Sequence, residues 1–128
     1  MPNSFIVLAA RVLLAIIFIV AGFGKLADPS GTAGYFASLG IPLAGLSTWI
    51  VLLVETLGGL AILTGFFTRP AAYVLALFCI ATGFIAHFHP ADQMQIVSFM
   101  KNLAIAGGFL VLAVHGPGSI SVDARRAA

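Results

Sequence analysis

Apolar residues gather along this chain into four long blocks, roughly 5–26, 43–67, 71–88 and 96–115, parted by short polar stretches. Each block comes close to the ~20 residues that cross ~30 Å of hydrocarbon, and tilt or local thinning absorbs the shortness of the last two. Inside lipid every backbone N–H and C=O must find its partner within the segment, so each block is predicted to be an α-helix. Between the second and third lies only Thr68-Arg69-Pro70, a tight helical hairpin with Pro70 in the first turn of the next helix. HPADQMQ, residues 89–95, links the third and fourth. The expected fold is all-α, an integral membrane four-helix bundle, with residues 1–128 forming one domain.

The segment DPSGTAGYFASLG, residues 28–40, breaks the pattern. Asp28 suits an N-cap, Pro29 the first helical position and Gly40 the stop just past a helix. Tyr35, Phe36 and Leu39 share a face at helical spacing. A short helix lying in the membrane interface is predicted between the first and second spans.

Composition strengthens the membrane reading. The chain is 61% hydrophobic and 8% charged, with a mean hydropathy of +1.14, whereas soluble domains are about 25% charged. So much apolar surface cannot be hidden in a soluble core of this size, and large patches are not tolerated in water. The net charge of +2 is spread thinly, which excludes a nucleic-acid surface. Cys79 is the sole cysteine, so no internal disulfide, CxxC pair or thiolate metal site can form. The first block is expected to persist as a helix rather than be cleaved: no Lys or Arg precedes it, Arg11 interrupts it, and AGFGKL is a poor cleavage site. With four spans, both termini share a side with Arg69, Arg125, Arg126 and Arg11, while Lys25 and Lys101 lie toward the other. That bias predicts both termini in the cytoplasm of a bacterial inner membrane.

Six polar residues fall within the spans or at their ends: Arg11, Lys25, Glu55, His87, Lys101 and Asn102. A charge at mid-bilayer costs at least ~2.5 kcal/mol on insertion scales and calls for a partner or a wet cavity. Glu55 lies near the middle of the second span. Lys101 lies ~9 Å below the outer end of the fourth, at ~1.5 Å per residue. Helical side chains lean toward their own N-terminus, so Lys25 leans toward Glu55 and Lys101 is long enough to meet it. The expected cluster, in the outer half, is Glu55 with Lys101 or Lys25, and His87 and Asn102 close by. Arg11 leans away and is expected to snorkel to the inner headgroups or to cap a helix end.

Neighbouring small residues suggest that these charges face the bundle. Ala15, Phe18 and Gly22 share a stripe with Arg11 and Lys25; Gly58, Gly59 and Ile62 share a face with Glu55; Ala104, Ile105 and Gly108 share one with Lys101. The bland alternatives are an ion pair that only sets helix register and a histidine that only anchors at the interface. HFHPAD offers His87, His89 and Asp92 as ligands, but an i, i+2 pair diverges on a helix and no second cluster exists, so no metal is expected. His87 and His115 lie near opposite faces and cannot share a haem iron. AGFGK is not a phosphate loop, because the GxxxxGK[ST] pattern is missing.

Several stretches together resemble the DoxX family of small bacterial membrane proteins. RVLLAIIFIVAGFGKLADP is similar to its first helix. VETLGGLAILTGFFTRPAA resembles its second-to-third hairpin, and IAHF its third-helix histidine. KNLAIAGGFLVLAVHGPGSISVD resembles its fourth helix and tail. The resemblance covers nearly the whole chain and implies a four-helix membrane bundle. Related proteins include a subunit of a thiosulfate:quinone oxidoreductase, and others are tied to quinone or thiol stress. The family's polar positions match Arg11, Lys25, Glu55, His87, Lys101 and Asn102, with no agreed catalytic assignment to carry over, and a fold match does not by itself establish a reaction.

Three function classes follow. The first is a redox-linked subunit that binds a quinone, with Glu55, His87 and a lysine hydrogen-bonding the head group and exchanging protons with it. The chain has no built-in redox centre, so it would need a soluble or membrane redox enzyme as partner. The second is a small transporter or ion-pathway protein, which intramembrane ionisable residues commonly mark; so short a chain would need a homo-oligomer to build a pathway. The third is a membrane anchor or assembly factor without chemistry of its own.

Overall fold

A computed structural model of the protein describes residues 2–127. It is all-α. Helix α1 runs Pro2–Ala27, α2 Pro29–Ser38, α3 Ala44–Thr64, α4 Thr68–Thr82, α5 Gln93–His115 and α6 Val122–Ala127; a π-helical turn, Gly83–His87, extends α4. Among the described residues, four segments are long and apolar enough to cross a membrane: Asn3–Ala27, Ala44–Thr64, Thr68–His87 and Gln93–His115. Leu13, Leu77 and Val111 point outward and are about 70% exposed (72%, 69% and 70%). In a bilayer such residues face hydrocarbon.

The ends of the spans shift from their expected places for local reasons. The second span stops at Thr64 because Gly65 takes the left-handed conformation that closes α3 (φ 72°). The hairpin turn is therefore Gly65–Phe67, and Thr68 already opens α4. The fourth span begins at Gln93, inside the stretch expected to be loop, because the Asp92 carboxylate accepts from the N–H groups of Met94 and Gln95. Helix α2 forms where expected. Asp28 Oδ1 accepts from Gly31 N at 3.1 Å, Pro29 sits in the first turn, and Gly40 follows at φ 78°.

Helix α1 packs chiefly on α3 and α4 on α5, the α3–α4 hairpin joins the two pairs, and α2 lies on α3. The solid core fills the half of the bundle near the termini. There Ala15, Phe18, Ile62, Leu75 and Phe109 are buried, and the rings of Phe18 and Phe109 meet edge to face at 5.5 Å. Gly22 lets α1 and α3 close on each other: a Cβ there would meet the Thr56 hydroxyl and lie 3.0 Å from Thr56 N. Gly22→Ala is therefore expected to lower the melting temperature, at an overpacking cost of about 1–3 kcal/mol, although alanine is the better helix former. Gly107 has nothing within 4 Å of a built Cβ. Gly107→Ala is expected to be neutral or stabilising in the same thermal melt.

The C-terminal tail clasps the terminal end. Arg11 is buried and does not snorkel. Its guanidinium donates to Ile62 O (3.1 Å) and Leu63 O (3.1 Å) at the end of α3, and to Pro117 O (2.6 Å) and Ile120 O (2.8 Å) in the tail. Arg69 treats the end of α5 similarly, donating to Ala113 O (3.0 Å) and Val114 O (2.7 Å). Both place a cation at the negative end of a helix dipole. Asp123 caps α4 from 55 residues away, accepting from Phe67 N (2.8 Å) and Thr68 N (2.9 Å). This dual grip accompanies a left-handed Phe67 (φ 46°), a costly conformation for a bulky residue. Partial burial alone would raise the Asp123 carboxyl, but the amide donors of Thr68 and Phe67 and the charge of Arg126 prevail and hold it below its ordinary range. A carboxyl lowered by folding contributes its stability in full above its unfolded pKa of about 3.9 and loses it as pH falls through the folded value. The wild type is thus expected to lose a step of stability in acid that Asp123→Asn lacks. Asp123→Ala should cost about 0.5–2 kcal/mol near neutral pH, as a lost N-cap does.

Candidate ligand-binding cavity

Toward the α2 end the two helix pairs splay, and a cavity of about 820 Å³ opens between them. Its walls come from α1, α3, α4, the π-turn and α5, and α2 supplies Thr32, Tyr35 and Phe36. Four of the residues expected to cluster line this one space: Lys25, Glu55, His87 and Asn102. Lys25, not Lys101, pairs with Glu55, its Nζ 2.8 Å from Oε1. The ammonium is the sole partner of that oxygen among the described residues, and both residues of the pair line the cavity.

Lys101 stands elsewhere. It is exposed and lines a separate shallow groove with Gln93, Met94, Val97 and Ser98. Of the face it was expected to share, Ala104 is exposed with it, whereas Ile105 lines the cavity and Gly108 packs toward Leu14. The two lysines reach similar depths, but their rotation about the helix axes differs. Lys25 follows Ala15, Phe18 and Gly22 along the buried stripe of α1, whereas Lys101 sits on the flank of α5 beside the cavity-lining Asn102 and Ile105. Arg11 belongs to the terminal clasp and has no part in the cavity.

His87 reaches the wall through an irregular turn. The α-helix of α4 widens into π geometry at Gly83, which packs against Phe99 and Asn102. Asn102 Nδ2 donates to Cys79 O (3.0 Å) and Thr82 Oγ1 (3.1 Å) at the start of that turn. A widened turn disturbs the i→i−4 ladder, and the amide supplies a donor at the point of disturbance. Gln95 Oε1 lies 2.7 Å from His87 Nδ1. The 89–95 stretch expected to be a connecting loop thus gives Gln95 to the first turn of α5, and Asp92 just before QMQIVSFM is the sequence signal for that helix start.

Sequence reasoning also missed the roof. Asp28, Thr32, Tyr35, Ser47 and Thr82 add polar atoms to the lining, because α2 folds over the cavity rather than only lying along an interface. The rest of the lining is largely apolar. Ile17, Ile50 and Ile85 line the cavity and are about half exposed (52%, 54% and 54%). The openings therefore have apolar rims where the bundle faces lipid. The arrangement is an apolar chamber with an ion pair on the α1–α3 wall and an imidazole on the α4–α5 wall, the pattern of a site that orients a small molecule with few polar groups.

Residues 6–88 match the family model DoxX. The chain is 47% identical over 117 residues to the Escherichia coli (strain K12) protein named "Inner membrane protein YqjF", covering 91% of this chain and 88% of that one. It is 39% identical over 125 residues to "Inner membrane protein YphA" of the same organism, covering 94% and 89%. A shorter match, 33% identical over 70 residues, covers 55% of this chain and 51% of CatD of Bacillus subtilis (strain 168), whose name offers it as a proposed oxidoreductase. No solved structure matches the chain.

Proposed function

The chain belongs to the DoxX family, and on that premise we propose that it is a redox-linked subunit of the bacterial inner membrane whose cavity takes the head group of a quinone. The observation that carries this reading is the cavity itself: about 820 Å³, apolar-rimmed toward lipid, with Lys25, Glu55 and His87 on facing walls. A lipid-soluble ring enters through the openings beside Ile17, Ile50 and Ile85 without crossing water. Its two oxygens find the ion pair at one side and the imidazole at the other, and its apolar tail stays in the bilayer. The name of CatD agrees with redox chemistry. With a single cysteine and no CxxC, the chain relies on a partner enzyme to carry the electrons. Arg125 and Arg126 favour termini in the cytoplasm, which puts the cavity in the outer half of the membrane.

Extraction of the purified protein with organic solvent, followed by mass spectrometry, tests the reading. Quinone is expected near one per chain in the wild type. It should fall to the background of a control membrane protein in His87→Phe and in Lys25→Met/Glu55→Leu, with melting temperatures showing that both remain folded. Quinone at background level in the wild type would overturn the proposal.

A further inference from the structure

The wall that holds His87 carries information about which form of a ring the cavity prefers. His87 Nδ1 lies 2.7 Å from Gln95 Oε1. That oxygen only accepts, so Nδ1 must carry the proton. In the neutral imidazole Nε2 is then bare and can only accept. Gln95 does not line the cavity, whereas His87 does, so the Nδ1 edge is spent on the wall and the Nε2 edge is the one left for a ligand.

The other groups on the lining point the same way. Glu55 is an acceptor in its ionised form, and among the described residues Oε1 has Lys25 as its sole partner. The donors of Asn102 are committed to Cys79 O and Thr82 Oγ1. The Lys25 ammonium is a strong donor, but it already serves Glu55. The hydroxyls of Thr32, Ser47 and Thr82 already donate to backbone carbonyls, so apart from the Tyr35 hydroxyl on the α2 side the lining offers a ligand mainly acceptors. A carbonyl oxygen at the His87 end would meet a lone pair; a hydroxyl there would donate to it.

We infer that Gln95 is a positioning residue that sets the tautomer of His87, and that the cavity thereby selects the hydroxylated, reduced form of its ring ligand over the dicarbonyl form. The inference rests on the quinone-site reading and adds the redox state that is held. A histidine with its proton on Nε2 would donate and invert the preference, so the choice lies with the residue facing Nδ1. Replacing that acceptor by a donor-only side chain reverses the tautomer without touching the cavity lining.

Two measurements test this on the full-length protein in detergent at mildly alkaline pH. The first needs no ligand: ¹⁵N NMR of the histidine side chains, with His87 assigned by the loss of its signals in His87→Phe. The wild type and Gln95→Glu should show Nδ1–H, and Gln95→Lys should show Nε2–H. The second is binding of ubiquinol-1 and ubiquinone-1, the former under anaerobic conditions. The wild type and Gln95→Glu should bind the reduced probe about tenfold more tightly, the worth of one hydrogen bond made rather than opposed. Gln95→Lys should lose or invert that ratio. Nε2–H in the wild type, equal affinity for both probes, or a ratio unchanged in Gln95→Lys overturns the inference while leaving the quinone site standing. Failure of both probes to bind the wild type overturns the inference and the quinone site together.

Discussion

Replacing Arg11 by methionine is expected to release the C-terminal tail and cost the bundle much of its stability. The guanidinium serves four carbonyl oxygens, two at the end of α3 and two in the tail, and the residue is 1% exposed. Methionine fills part of the volume but has no N–H. Each buried acceptor left without a donor costs about 1–3 kcal/mol; even with strong non-additivity the sum is several kcal/mol, or a fall in melting temperature of about 10 °C or more. Arg11→Lys should recover only part of this, because an ammonium cannot reproduce the planar fork that reaches four oxygens. Trypsin supplies a second readout. Cleavage after Arg125 and Arg126 should quicken once the tail undocks. A melting temperature within about 2 °C of wild type, with unchanged cleavage, would show that the clasp is dispensable.

The second large effect concerns the ion pair inside the cavity. Lys25→Met strands a carboxylate that is 7% exposed, and Glu55→Gln strands the ammonium. Breaking a buried pair from one side costs about 3–5 kcal/mol in soluble proteins, whereas replacing both partners by apolar residues is often near neutral. Each single variant should therefore melt well below wild type, and Lys25→Met/Glu55→Leu should recover most of the loss. Lys101→Met serves as the control. Added to Glu55→Gln it should restore nothing, because Lys101 lies in a separate groove. Restoration by Lys101→Met would mean that the lysine turns inward in the membrane and that the assigned pairing is wrong.

The four spans and the short helix between the first two were legible because their causes are local. A run of about 20 apolar residues in lipid has no choice but to satisfy its backbone as a helix. Asp28, Pro29 and Gly40 carry the capping chemistry of α2 within the segment itself. The depth of each charge was equally legible, because a helix rises by a constant ~1.5 Å per residue. That sufficed to place Lys25, Glu55, His87 and Asn102 in one layer of the bundle.

Depth, however, is one coordinate of three. Lys25 and Lys101 both satisfied it, and only the packing of α1 against α3 and of α5 against α4 decided that one faces Glu55 and the other faces outward. The same holds for the terminal clasp. Arg11 bonds to residues 51 to 109 positions away, and Asp123 to amides 55 and 56 away. No periodicity within a helix encodes such distances. The π-turn that carries His87 is met by an amide from another helix, Asn102. Which segments cross the membrane, and at what height each polar group sits, is written locally in the chain, because the bilayer and the helical hydrogen bond impose both segment by segment. The tertiary structure alone decided which groups meet, because the rotation of each helix about its axis is set by how all of them pack together.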